Sequence, residues 1–282
     1  MHCNPNPTAT TRTATLAPRG GVAASATLAA AIAVTVAACA ARPDVTAGPV
    51  APDERARVIA LISAGAEWKI VVAQLPGEAL HDTPFGAWFR RRIGSEDVVF
   101  FHGGYGKVAA AGSTQYAIDR WHPALIVNLG TCGGFAGERK VGDVVLASET
   151  IIYDVVELMG DPDEAIEDFH TRLDTRRWPA RLASRVTAAP LISADRDLDP
   201  AAVAALHTRF HASAGDWESG AIAWVATHNH VPVIILRGVT DVVDAVGGDP
   251  TYHAPGAWER ETATVMASLI SLLGEALPDL AN

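Results

Sequence analysis

Two periods of apolar residues alternate along most of this chain. Residues 57–62 (Arg-Val-Ile-Ala-Leu-Ile), 98–101, 124–129, 141–147 and 233–236 are short aliphatic runs rich in Val, Ile and Leu. Runs of this kind predict strands buried on both faces of a sheet. Between them stand stretches with apolar residues at helical spacing: 68–75, an Ala-rich segment after Gly106, 218–228 and 258–277. In the last of these, Ala263, Val265, Met266, Leu269, Ile270 and Leu273 form one stripe, which predicts an amphipathic helix. Strands alternating with helices predict an α/β domain. The densest stretch is 216–244, where a helix (Ile222, Val225, Ala226) gives way at Pro232 to the strand 233–236. Arg237, Thr240, Asp241 and Asp244 follow where that strand is expected to end. Ligands of open α/β sheets bind beyond the carboxyl ends of strands, so Asp241 is expected at the site.

Composition alters this picture mainly at the N-terminus. Residues 1–19 carry Arg12 and Arg19 as their only charges, residues 20–38 are uncharged and Ala-rich, and Val36-Ala37-Ala38 leads into Cys39. That order reads as a secretory signal, and with Cys39 at the cleavage position it is similar to a bacterial lipoprotein signal. A lipid on Cys39 would tether the protein to a membrane of the cell envelope without spanning it. The other reading is an Ala-rich extension of a cytoplasmic protein. The chain thus divides into a signal-like segment (1–39), a Pro-containing linker (40–56) and a catalytic domain (57–282). A net charge of −10 over 282 residues argues against a nucleic-acid surface, which needs clustered Lys and Arg. The three cysteines are too few and scattered for a disulfide framework or a zinc site, and none of the ten histidines stands in an H-E-x-x-H arrangement. Neither a metal nor a cofactor is expected.

Two blocks carry a resemblance. Asn128-Leu-Gly-Thr131-Cys132-Gly-Gly with Val141-Gly-Asp-Val-Val, and Asp216-Trp217-Glu218 with Arg237-Gly-Val-Thr-Asp241, resemble the purine nucleoside phosphorylase and methylthioadenosine/S-adenosylhomocysteine nucleosidase superfamily. The resemblance spans about 57–277. It implies a single-domain three-layer α/β/α fold around a mixed twisted sheet, a homodimer or hexamer, and a small nucleoside substrate. It also implies roles. Glu67, after the first strand, would activate the attacking water, although a Glu in a first helical turn is also favoured by the helix dipole alone. Gly106, in Gly104-Tyr105-Gly106-Lys107-Val108-Ala109-Ala110, would shape the ribose side. Thr131 would face the nucleophile, Trp217 would lie under the ribose where relatives have Met, Glu218 would hold the ribose hydroxyls, and Asp241 would meet the purine.

Two departures matter. Phosphorylases of the hexameric type place an Arg three residues before the hydroxyl of Thr131, and this chain has Asn128, which favours water over phosphate as acceptor. The nucleosidases place an aromatic residue against the purine, where this chain has Arg196, Asp197 and Leu198. The expected reaction is therefore hydrolysis of the N-glycosidic bond of a purine nucleoside, an adenosine thioether being the implied substrate. A phosphorylase and a non-catalytic nucleoside-binding protein are the alternatives. Cys132 reads as a packed thiol, Arg237 as a residue that orders carboxylates, and the eight carboxylates within 149–168 as a solvated face.

Overall fold

The computed structural model describes residues 55–246 and 256–280. The expected signal-like segment, with Cys39, and the linker as far as 54 lie outside the described residues. Among the described residues ten strands form one mixed sheet. Its parallel centre is β5 (Leu125–Phe135), flanked by β1 (Val58–Ile62) and β10 (Val233–Val243). Beyond β1 come β4 (Glu96–His102), β3 (Ala87–Ile93) and the two-residue β2 (His81–Asp82). On the other side β10 pairs antiparallel with β6 (Val144–Ile152), which pairs with β8 (Thr187–Ser193). β9 (Ala214–Asp216) bridges β8 back to β5, so β5, β10, β6, β8 and β9 close on themselves as a small barrel. The short β7 (His170–Arg172) pairs with β6.

Strict alternation along the central strands divides the core into two layers. Ile59 and Leu61 of β1 face α2 (Gly106–Trp121) and α5 (Ser219–His228), packing with Ala117, Trp121, Ile222 and Ala226. Val58, Ala60 and Ile62 face α1 (Gly65–Gln74) and α6 (Ala257–Leu280), packing with Val71, Met266 and Leu269. Because successive side chains of a strand point to opposite faces, a continuous apolar run is what a doubly covered strand requires. Two smaller helices, α3 (Pro162–Glu167) and α4 (Val203–Phe210), cover the barrel side. The result is the expected three-layer α/β/α arrangement.

Two local expectations need correction. The strand expected over 124–129 does not end there but runs on through Gly130, Gly133 and Gly134 to Phe135. Close packing, not turning, accounts for them. A Cβ on Gly130 would stand 1.7 Å from Arg237 Nη1, one on Gly133 would stand 2.9 Å from Asp241 Oδ2, and one on Gly134 would stand 2.8 Å from the Cβ of Arg139. Likewise β10 does not stop at Leu236. It continues to Val243, with a bulge between Val239 and Asp241 that shifts its register against β5. Bulges re-aim side chains, and Asp241 lies in the strand just after this one.

The acidic stretch is also only partly a solvated face. Residues 149–152 belong to β6, the Lys107 ammonium pairs with Asp154, and His170 lies between Glu149 (2.5 Å) and Glu167 (3.0 Å).

Candidate active site

The outgoing segments of β1, β4, β8 and β9, with the late residues of β5 and β10, surround one cavity of about 560 Å³. Its lining includes Glu67, Tyr105, Thr131, Leu198, Trp217, Glu218 and Asp241. Gly106 stands just behind, tied to Glu218. The structure therefore brings together all seven residues singled out in the sequence, Glu67, Gly106, Thr131, Leu198, Trp217, Glu218 and Asp241.

Glu67 sits in the first turn of α1 and is 2% exposed. Its Oε1 accepts the backbone N–H of Thr131 at 2.6 Å and the Thr131 hydroxyl at 2.9 Å, while Oε2 accepts the N–H of Ala64 at 3.1 Å. A carboxylate capping a helix start uses one oxygen on its own backbone. The other here reaches across to β5, which helix stability alone does not call for. Burial raises the Glu67 pKa, opposed by the Arg237 charge and these hydrogen bonds.

Glu218 precedes α5 and is 4% exposed. Its Oε1 accepts the N–H of Gly106 at 3.1 Å. Gly106 adopts φ +81°, a conformation that costs a residue with a side chain, and this turns its N–H toward the carboxylate. Burial raises the Glu218 pKa to about 8; Arg237 opposes this, while Asp216 and Glu67 add to it.

Arg237 organises the floor of the site. It is fully buried, with Nε 2.7 Å from Asp216 Oδ2 and donating to Ser219 Oγ at 2.8 Å. Nη2 donates to Asn128 Oδ1 at 2.8 Å and lies 3.8 Å from Glu218 Oε2. Nη1 has no hydrogen-bond partner among the described residues. Asn128, where a phosphorylase would have Arg, thus serves as a strut for Arg237. Ionised, Asp216, Glu67 and Glu218 would outnumber the single guanidinium. In a low-dielectric interior that surplus favours protonation of a carboxylate.

Asp241 is half-buried and receives the Thr240 hydroxyl on Oδ1 at 2.7 Å. Leu198 stands near it: the Cβ position of Gly133 is 2.9 Å from Asp241 Oδ2 and 3.0 Å from Leu198 Cδ1. Trp217 stacks on Tyr105 with ring centroids 4.6 Å apart. Cys132 is buried, and that burial pushes its thiol well above its ordinary pKa, as a packed thiol requires. Among the described residues no group of three or more His, Cys, Asp or Glu is arranged to hold a metal ion.

Asp216, Tyr105 and Trp258 were missed as site residues by the sequence reading. The spacing Asp-x-Glu at 216–218 could have flagged Asp216. Nothing in the pattern marks Trp258, which reaches the cavity from the start of α6.

Residues 58–273 match the sequence profile of the family described as "Phosphorylase superfamily". The chain belongs to the phosphorylase superfamily. Within it, the chain is similar to the 5′-methylthioadenosine/S-adenosylhomocysteine nucleosidase of Geobacillus sp. (strain WCH70), at 30% identity over 194 residues, 64% of this chain and 84% of the relative. The nucleosidase of the same name from Staphylococcus haemolyticus is 26% identical over 204 residues, 66% and 86% of the two chains. Among solved structures, the Helicobacter pylori 5′-methylthioadenosine/S-adenosylhomocysteine nucleosidase bound to butyl-thio-DADMe-Immucillin-A has a TM-score of 0.66 at 17% identity, covering 78% of this chain and 99% of that one. The apo Arabidopsis thaliana 5′-methylthioadenosine nucleosidase has a TM-score of 0.65 at 22% identity, covering 77% and 94%. At these identities the structural likeness speaks for the fold.

Proposed function

We propose that this protein hydrolyses the N-glycosidic bond of a purine nucleoside, an adenosine carrying a thioether at C5′, and releases the free base. The observation that carries the reading is the engagement of Thr131. Both its N–H and its hydroxyl donate to Glu67, so the groups a phosphate would need already hold a carboxylate. A carboxylate repels a phosphate dianion and can take a proton from water. The nearby guanidinium of Arg237 is fully buried, with its Nε engaged by Asp216 and Ser219 and its Nη2 by Asn128.

In this reading water enters beside Glu67. As the C1′–N9 bond breaks, its electron pair leaves with the purine and positive charge develops on the sugar. Asp241 supplies a proton to N7 of the departing base. The water oxygen bonds to C1′ and gives its proton to Glu67, and the cycle closes when that proton returns to Asp241 through solvent. This division between an acid and a base follows the two-carboxylate logic of glycoside hydrolysis. Glu218 accepts hydrogen bonds from the ribose hydroxyls and fixes the ring over Trp217. The names of the relatives support the thioether at C5′.

Incubation of the purified protein with 5′-methylthioadenosine tests this. Base release at the same rate with and without phosphate is expected. Strict dependence on phosphate would make it a phosphorylase, and tight nucleoside binding without turnover would make it a binding protein.

A further inference from the structure

The cavity has two chemically different ends. Gly133, Leu198 and Asp241 close the base end. With the sugar over Trp217 and its hydroxyls at Glu218, a substituent on C5′ would extend along the aromatic part of the wall, which carries Tyr105, Trp217 and Trp258; Ala64, Gly65 and Ala66 also line the cavity. Tyr105 is stacked on Trp217 at an interplanar angle of 30°, yet 58% of it remains exposed, so one ring face is open. Carboxylates border these rings. Asp195 Oδ1 accepts the N–H of Lys107 at 2.8 Å, beside Gly106, and Asp197 lines the cavity. The cations nearby do not balance them. Lys107 is tied to Asp154, with Asp195 Oδ2 3.9 Å away, and Arg196 lines the cavity next to Asp197. Asp154, Asp195 and Asp197 against Lys107 and Arg196 leave a net negative charge even with Glu218 protonated. Burial is the main cause that pushes the Tyr105 phenol up to about 12, and Glu218, Asp197 and Asp195 add to it.

Open aromatic faces bordered by carboxylates attract a cation, whereas a neutral thioether gains nothing from the charges. We propose that this end of the cavity accepts a nucleoside whose C5′ substituent is an onium group, a sulfonium or an ammonium, in preference to an uncharged group of the same shape. The proposal rests on the nucleoside reading of the site given above. An onium group at C5′ withdraws electrons from the sugar and slows departure of the base, so the preference belongs to binding before turnover.

Calorimetry on the full-length Asp241→Asn protein, in which turnover is slowed, isolates binding. The ligands are 5′-dimethylsulfonio-5′-deoxyadenosine, its uncharged carbon isostere 5′-isopropyl-5′-deoxyadenosine, and 5′-amino-5′-deoxyadenosine beside its 5′-methyl counterpart. We expect at least one onium ligand to bind about tenfold more tightly than its uncharged counterpart. Adding Tyr105→Leu or Asp197→Asn should bring that ratio close to one, whatever either change does to both affinities together. A preference confined to the sulfonium would point to the ring faces, and one confined to the ammonium to hydrogen bonding with the carboxylates; either upholds the charge preference. Ratios of one or below for both pairs overturn it. If wild-type protein fails to cleave 5′-methylthioadenosine while the onium preference persists, the hydrolytic reading falls and this one stands.

Discussion

Asp241 and Gly130 are the residues at which the account is most exposed to a single substitution. Asp241→Asn keeps the shape and a hydrogen-bond donor but cannot release a proton, so turnover of a purine nucleoside should fall about 10²–10⁴-fold. Affinity should fall far less. A nitrophenyl riboside, whose leaving group needs little protonation, should be largely spared, and equal losses on both substrates would remove Asp241 from the acid role. Gly130→Ala acts through Arg237 instead. Its Cβ would stand 1.7 Å from Nη1, in a fully buried guanidinium that has nowhere to retreat. Overpacking of this kind costs about 1–3 kcal/mol, so the denaturant midpoint should drop and activity with it. An unchanged midpoint would mean that the guanidinium moves freely, and the ion cluster could not then be the rigid floor described above.

At the scale of elements, the buried carboxylates set how stability depends on pH. Glu67 and Glu218 both have folded-state pKa values raised above the ordinary 4.5, Glu218 to about 8. The unfolded chain releases the Glu218 proton near 4.5 while the native chain holds it, and the shift of Glu67 acts in the same direction. Stability is therefore greatest below that point and declines as pH rises toward about 8. Glu157, Glu167 and Asp174 are lowered and act in the opposite sense below about 4.5. Thermal melts between pH 5 and 8 should show a declining Tm, and Glu218→Gln should flatten the decline. A Tm that climbs over this range would contradict the placement of the protons. The central strands were legible as continuous apolar runs because they are covered on both faces, and the long helices as apolar stripes at helical spacing. The ends of β5 and β10 were not. Gly130, Gly133 and Gly134 look like a turn in sequence, and only the neighbours Arg237, Asp241 and Val239 reveal that they are needed for close approach. The bulge before Asp241 carries no proline or glycine of its own, so its signal lies in pairing with a strand about a hundred residues away. Glu67, Glu218 and Asp241 were legible through the resemblance, whereas Trp258 reaches the cavity only because α6 packs where it does.

For the whole molecule, the N-terminal segment that lies outside the described residues bears on where the protein resides. The signal-like order of 1–39 leads to the proposal that the native protein is cut between Ala38 and Cys39 and carries lipid on Cys39. Mass spectrometry of protein purified from its own cells should find the truncated, lipid-modified N-terminus in the membrane fraction. An intact Met1, or an unmodified Cys39 in the soluble fraction, would favour the cytoplasmic reading. Assembly as a homodimer or hexamer is likewise a proposal, which the solution mass of the purified chain decides. The central claim is that water, held by Glu67 against Thr131, attacks the sugar. The most direct test is to let the protein act on 5′-methylthioadenosine in ¹⁸O-labelled water containing phosphate and to weigh the sugar product. One labelled oxygen at C1′ and no phosphate there is the expected result. A sugar 1-phosphate without label would contradict it.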